Sequence, residues 1–167
     1  GNTASARWAD AMHYERTGQI IHAGVSHLRQ LAGAAKRKAF AWLLGYAAHV
    51  GADVTIHPVV NLKVGPYEQN KTAHRRCEMH QDAYIWQRMN LSGVGVSEHL
   101  DSGIGTCGNG DEFDADIGAM WAAMLRAVHP EQYSASPADF NLWHRRFRQT
   151  VDDMAEEGYR LPALARH

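Results

Sequence analysis

The sequence predicts an all-α domain, and three observations carry that prediction. Apolar residues recur at steps of three and four in successive segments, the period of a helix buried along one face. Prolines and Gly/Pro turns fall where those segments should stop. Histidines and carboxylates are paired four residues apart, which places them one above the other on a helical face.

Residues 1 to 16 read as irregular chain or a short helix around Trp8. Thr17 is a fitting N-cap for a helix from Gly18 to Ala32, in which Ile20, Ile21, Val25, Leu28 and Leu31 keep helical spacing and Gly33 marks the end. His22 and His27 lie five apart, share no face, and are expected to be ordinary polar positions. Lys36, Arg37 and Lys38 form a solvated basic patch at the start of a second helix, expected from Lys36 to Thr55. Its residues Phe40, Trp42, Leu43, Leu44, Tyr46, Ala47, Ala48 and Val50 make it apolar nearly all round, the pattern of a buried helix. Pro58 disfavours helical geometry at His57, so this helix is expected to end or kink there. A turn at Gly65 to Tyr67 follows, and Asn70 or Thr72 caps a helix running to about Met89.

From Asn90 to Gly110 six glycines with Ser, Thr and Asn predict a long loop, either a lid or an excursion, in which His99 and Asp101 carry no strong pattern. Phe113 to Val128 forms the next helix, with Ile117, Met120, Trp121, Met124 and Leu125 inward, stopped by Pro130. Pro137 opens a last amphipathic helix with Phe140, Trp143, Phe147, Val151 and Met154 inward, ended by Gly158, and His129 and His144 read as helix-terminal or surface residues. The expected organisation is one compact domain of about five helices over residues 1–167, with a core of chemistry at about 8–90 and a helical C-terminal part at about 111–160.

A formal net charge of -1 argues against a general electrostatic grip on nucleic acid. No apolar run is read as long enough to cross a bilayer, and no signal peptide of charged, apolar and small regions opens the chain. The chain as given is therefore expected to be soluble, its compartment unspecified. The eleven histidines make metal chemistry plausible before any spacing is read. Two cysteines, Cys77 and Cys107, fit no zinc-finger spacing.

The spacing that matters lies between Trp42 and Glu78. His49, Asp53 and His57 stand at successive steps of four, and His74 and Glu78 are again four apart. A lone His-x3-Asp pair is more often a surface ion pair than a ligand pair. Within an apolar helix, however, a histidine and an aspartate are costly unless something offsets their burial, and coordination of a divalent cation does so for both at once. Imidazole nitrogens with carboxylate oxygens suit a borderline cation such as zinc in a catalytic site. Cys77 competes with Glu78 as a ligand, but a thiolate would favour a closed structural site, so Glu78 is preferred. Asp82 continues the His74 and Glu78 stripe, either as an acceptor for a ligand histidine's second nitrogen or as a surface carboxylate. No phosphate-cradling glycine loop, dinucleotide fingerprint or Ser-His-Asp arrangement competes.

The run LLGYAAHVGADVTIHPVVN, followed by the HRRCE segment, resembles the core of the bacterial zinc-dependent phospholipase C family, whose all-helical fold is shared with the single-strand-specific fungal nucleases. That family carries His-x3-Asp on an apolar helix, a third His a few residues on, then His-x3-Glu on the next helix. His49, Asp53, His57, His74 and Glu78 match in order, and MHYE offers His13 for an upstream ligand position. The resemblance covers roughly Trp8 to Trp86. It implies a compact multi-helix hydrolase that cleaves a phosphodiester, most simply a phospholipid, with two or three zinc ions in the complete protein. It further implies that His57, His74 and Glu78 hold one ion, that His13, His49 and Asp53 hold the other or others, and that Asp53 and Glu78 are the catalytic carboxylates. The family's cluster also uses an N-terminal segment with a further His and Asp; the start GNTASARW lies only shortly before His13, so the expectation is that either those ligands lie on an N-terminal part absent from this chain or the cluster is incomplete. Two alternatives remain: a single-strand nuclease, for which Trp8, Tyr14, Tyr67, Tyr84 and Trp86 offer stacking platforms, and a non-catalytic metal-stapled helical domain. Head group and oligomeric state are not legible.

Overall fold

A computed structural model describes residues 2–89 and 103–156. The protein is all-α. Its elements are α1 (Asn2–Tyr14), α2 (Thr17–Leu28), α3 (Gly33–Val64), a 3-10 turn (Tyr67–Gln69), α4 (Lys71–Arg88), β1 (Gly108–Asn109), β2 (Glu112–Phe113), α5 (Ala115–Val128), α6 (Pro130–Ala135) and α7 (Phe140–Glu156). The two short strands form an antiparallel hairpin with Gly108 opposite Phe113. Residues 90–102 of the expected glycine-rich loop, His99 and Asp101 among them, lie outside the described residues, as does Gly158.

Two compact units divide the chain, Gly1–Asp53 with Cys107–Arg145, and Val54–Thr106 with Arg146–His167. In the first, α2 packs on α5 around a core of Trp8, Ala11, Ile20, Leu28, Leu43, Tyr46, Ile117, Met120, Trp121, Met124 and Leu125. Gly24 lets the helices approach: a Cβ there would lie 2.6 Å from a Leu43 methyl and 3.1 Å from the Met124 sulfur. Arg16 takes a left-handed conformation, φ 54°, at the start of α2. It, and not Thr17, occupies the N-cap position, and its guanidinium donates to Val128 O at the end of α5, where a cation suits the exposed carbonyls. Asp114 caps α5 by accepting from the N–H groups of Asp116 and Ile117, and pairs with Lys38. In the second unit Val60, Ile104, Val151 and His74 are buried. Gly65, φ 91°, makes the turn after α3 in the left-handed region where glycine is favoured. Asn70 stands at the N-cap position of α4, but its amide donates to Pro66 O instead of capping.

Several sequence expectations are corrected. Of the two readings for the N-terminal residues, the helix around Trp8 is the one found, and it extends over Asn2–Tyr14 because Trp8 and Ala11 find an apolar partner surface that local sequence does not announce. Helix α3 does not end at Pro58. A proline in a helix removes one N–H donor, and here the hydrogen bonds on either side carry the helix on to Val64. Nor is α3 buried all round: its inward stripe is Ala39, Leu43, Tyr46, Val50, Asp53, His57 and Val60, at alternating steps of four and three, whereas Phe40, Leu44, Val54, Val59 and Leu62 are exposed. Unbroken by Pro58, α3 is also long and apolar enough to cross a bilayer by length and composition, so the reading that no such run exists does not hold. His144 is buried in α7, not on the surface, and its Nε2 stands 3.2 Å from Gly110 O in the hairpin turn.

Candidate metal centre

Six of the sequence-selected side chains come together as two triads, each complete within one unit. The first is His13, His49 and Asp53, the second His57, His74 and Glu78. In each, one ligand atom per residue lies within 4.8 Å of the others.

In the first triad, α1 contributes His13 and α3 contributes His49 and Asp53. Tyr46 ties the two helices together. Its hydroxyl donates to Met12 O at 2.7 Å, and burial pushes its pKa up to about 12, so it stays a neutral donor. The His13 ring then meets the His49 ring edge to face, with centroids 4.9 Å apart. His13 Nδ1 lies 2.7 Å from Ala9 O, a contact that only a protonated Nδ1 makes favourable. That bond sets the tautomer and leaves the Nε2 lone pair available, the arrangement by which proteins orient a ligating histidine. His49 Nε2 is 3.3 Å from Asp53 Oδ2, with side chains 50% and 18% exposed. The expectation that both sit inside an apolar helix thus holds only for Asp53, which faces inward on the α3 stripe.

The second triad is the more enclosed. His74 is 1% exposed, while His57 and Glu78 are 26% and 34% exposed. Both imidazoles address one oxygen: His57 Nε2 and His74 Nε2 lie 3.1 and 3.0 Å from Glu78 Oε1. Their rings pack edge to face at 5.0 Å, and Tyr67 packs on His74 at 4.9 Å. His57 meets Glu78 from a continuous α3, with no break at Pro58 to free it toward α4. Asp82, one turn beyond Glu78, has its carboxyl raised by partial burial and then by the charge of Glu78. It does not serve His74, whose buried Nδ1 has no hydrogen-bond partner. Cys77 is a half-buried free thiol and joins neither triad.

The donor chemistry fits zinc. Bonds of about 2.0–2.2 Å to nitrogen and oxygen in a tetrahedron put neighbouring ligands roughly 3.4 Å apart. The closest pairs, at 3.3, 3.1 and 3.0 Å, already stand near that separation. Two histidines and one carboxylate are also the set that leaves a fourth position open in catalytic zinc sites. The orphaned Nδ1 of a buried His74 points the same way, because the ring is desolvated with little to recompense it except what its Nε2 holds.

A family model described as zinc dependent phospholipase C matches residues 2–160, well beyond the Trp8 to Trp86 stretch that carries the resemblance in sequence. No curated protein and no solved structure matches.

Proposed function

The chain belongs to the zinc-dependent phospholipase C family, and from that premise we propose that it hydrolyses the phosphodiester of a phospholipid, using His57, His74 and Glu78 as one set of zinc ligands and His13, His49 and Asp53 as another. The observation that carries this reading is the convergence of two triads, each of two histidines and one carboxylate with ligand atoms within 4.8 Å, in a chain matched to that family over nearly its whole length.

Zinc, when bound, supplies a water acidic enough to be hydroxide near neutral pH and positive charge for phosphate oxygens. The protein's residues do the rest. His13 is held by Ala9 O with its Nε2 presented, and His74 is shielded from water, so its nitrogen meets no solvent competitor. Asp53 and Glu78 bring the negative charge that retains a divalent cation, and as the carboxylates of the two triads they are the proposed acceptors for a proton leaving the attacking water.

Zinc-supplemented protein should release diacylglycerol from phosphatidylglycerol in mixed micelles, and chelator should abolish the release. Preferential cutting of single-stranded DNA would move the assignment to a nuclease. One platform invoked for that alternative, Trp8, is 1% exposed and so unavailable for stacking bases. Zinc binding with neither substrate cleaved would leave a metal-stapled helical domain and overturn the proposal.

A further inference from the structure

Beside the second triad stands a pair of residues that the metal chemistry does not use, Tyr67 and Lys71. The Tyr67 ring meets the His74 ring with planes 82° apart. Lys71 Nζ lies 5.4 Å from the Tyr67 centroid, so one face of that ring already carries a cation. Lys71 is the first residue of α4, and from it His74 and Glu78 follow at steps of three and four, on the same face of the helix. Lys71 also pairs with Glu68 at 3.0 Å, and with side chains 58% and 80% exposed that pair is screened by solvent.

From this arrangement we infer that Tyr67 and Lys71 set head-group specificity at the triad of His57, His74 and Glu78, favouring phosphate esters of uncharged polyols and disfavouring those of quaternary ammonium alcohols. The inference rests on the reading of that triad as the phosphodiester site. A quaternary ammonium is recognised by open aromatic faces. Here one face of the Tyr67 ring, which packs on His74, already carries the protein's own ammonium, so a trimethylammonium group approaching that face meets a like charge instead of a free π-cloud. A phosphate ester without that group meets no such opposition, and the Lys71 ammonium attracts its phosphate oxygens, as a compact lysine ammonium does at phosphate sites. Arg75 and Arg76, exposed on the next turn of α4, extend the positive field.

The test uses binding, so it does not depend on turnover. Zinc-loaded full chain is titrated calorimetrically with sn-glycerol 3-phosphate and with phosphocholine, which share the phosphate and differ in the alcohol. Glycerol phosphate should bind at least roughly fivefold more tightly, the discrimination expected of one cation over an aromatic face. Lys71→Ala should bring the two within about twofold, chiefly by improving phosphocholine, and Lys71→Arg should retain most of the preference. Zinc stoichiometry should be unchanged in both variants, since Lys71 is no ligand. Equal or tighter binding of phosphocholine by the unaltered chain, a ratio unmoved by Lys71→Ala, or no binding of either ester would each overturn the inference. Failure to cleave phospholipid, with the binding ratio as expected, would instead count against the hydrolase assignment alone.

Discussion

Chelation tests the second triad most directly, because its stabilising term can be worked out from the arrangement of three side chains. Without a cation, Glu78 Oε1 still accepts from whichever of His57 Nε2 and His74 Nε2 is protonated, at 3.1 and 3.0 Å, so the triad persists as a hydrogen-bonded cluster and the fold is retained. What is lost is the linkage between metal binding and folding. At free zinc about one hundredfold above the dissociation constant, that linkage stabilises the native state by about 2.7 kcal/mol. For a chain of this size about 1 kcal/mol corresponds to roughly 2–4 °C in Tm, so excess chelator should lower Tm by about 5–10 °C. Glu78→Gln keeps the side-chain shape and removes the triad's carboxylate, the proposed anionic ligand, so it should erase most of that response and reduce the zinc content measured by elemental analysis. Loss of an outer-shell partner alone costs about 10–100-fold in metal affinity, so loss of a direct ligand should exceed about 100-fold. Cys77→Ser should leave zinc content unchanged, since the thiol joins neither triad. A melting curve identical in zinc and in chelator, or a Glu78→Gln protein that retains the full zinc content, would show that this triad holds no stabilising metal.

The first triad should be the weaker holder of metal, because His49 is half exposed; on dialysis against graded chelator, zinc sensitive to His49→Ala should leave before zinc sensitive to His74→Ala. Tyr46→Phe removes the bond to Met12 O that holds α1 beside α3, and should cost about 0.5–1.5 kcal/mol in denaturant unfolding while reducing the zinc held by His13 and His49. Asp114→Ala removes the α5 cap and should cost about 0.5–2 kcal/mol. The same residue sets an acid limit: burial works to raise its pKa, but the Lys38 ammonium and the N–H groups of Ile117 and Asp116 outweigh it and hold the carboxyl below the usual range. A depressed carboxylate pKa gives stability that is fully present above the unfolded value of 3.8 and is lost as pH falls through the folded value. Native protein should therefore lose stability below about pH 4, and Asp114→Ala should flatten that limb; an unchanged acid limb would show that other carboxylates set it.

Helical class, the approximate span of most helices, and the pairing of His49 with Asp53 and of His74 with Glu78 were legible in the sequence, because each depends on a period along one chain. A step of four is a statement about a single helix and needs no knowledge of what that helix packs against. What required the tertiary structure was every choice between faces and between partners. Helix α3 is apolar nearly all round, so its sequence names no inward side; Leu43 against Gly24 and Tyr46 against Trp121 select the stripe on which Asp53 and His57 lie, and leave Phe40, Leu44 and Val54 outward. Local preference at Pro58 argued for a break, yet the loss of one backbone hydrogen bond is small beside the many that hold a helix of 32 residues. For α1 the sequence left irregular chain and a short helix around Trp8 both open, because Trp8 and Ala11 gain from a surface built in part by residues more than a hundred positions away, as the bond from Trp8 to Ser136 O shows. The contacts that complete each triad, His13 with His49 and His57 with Glu78, join separate helices. Periodicity shows which side chains share a helical face, but only packing determines which faces meet.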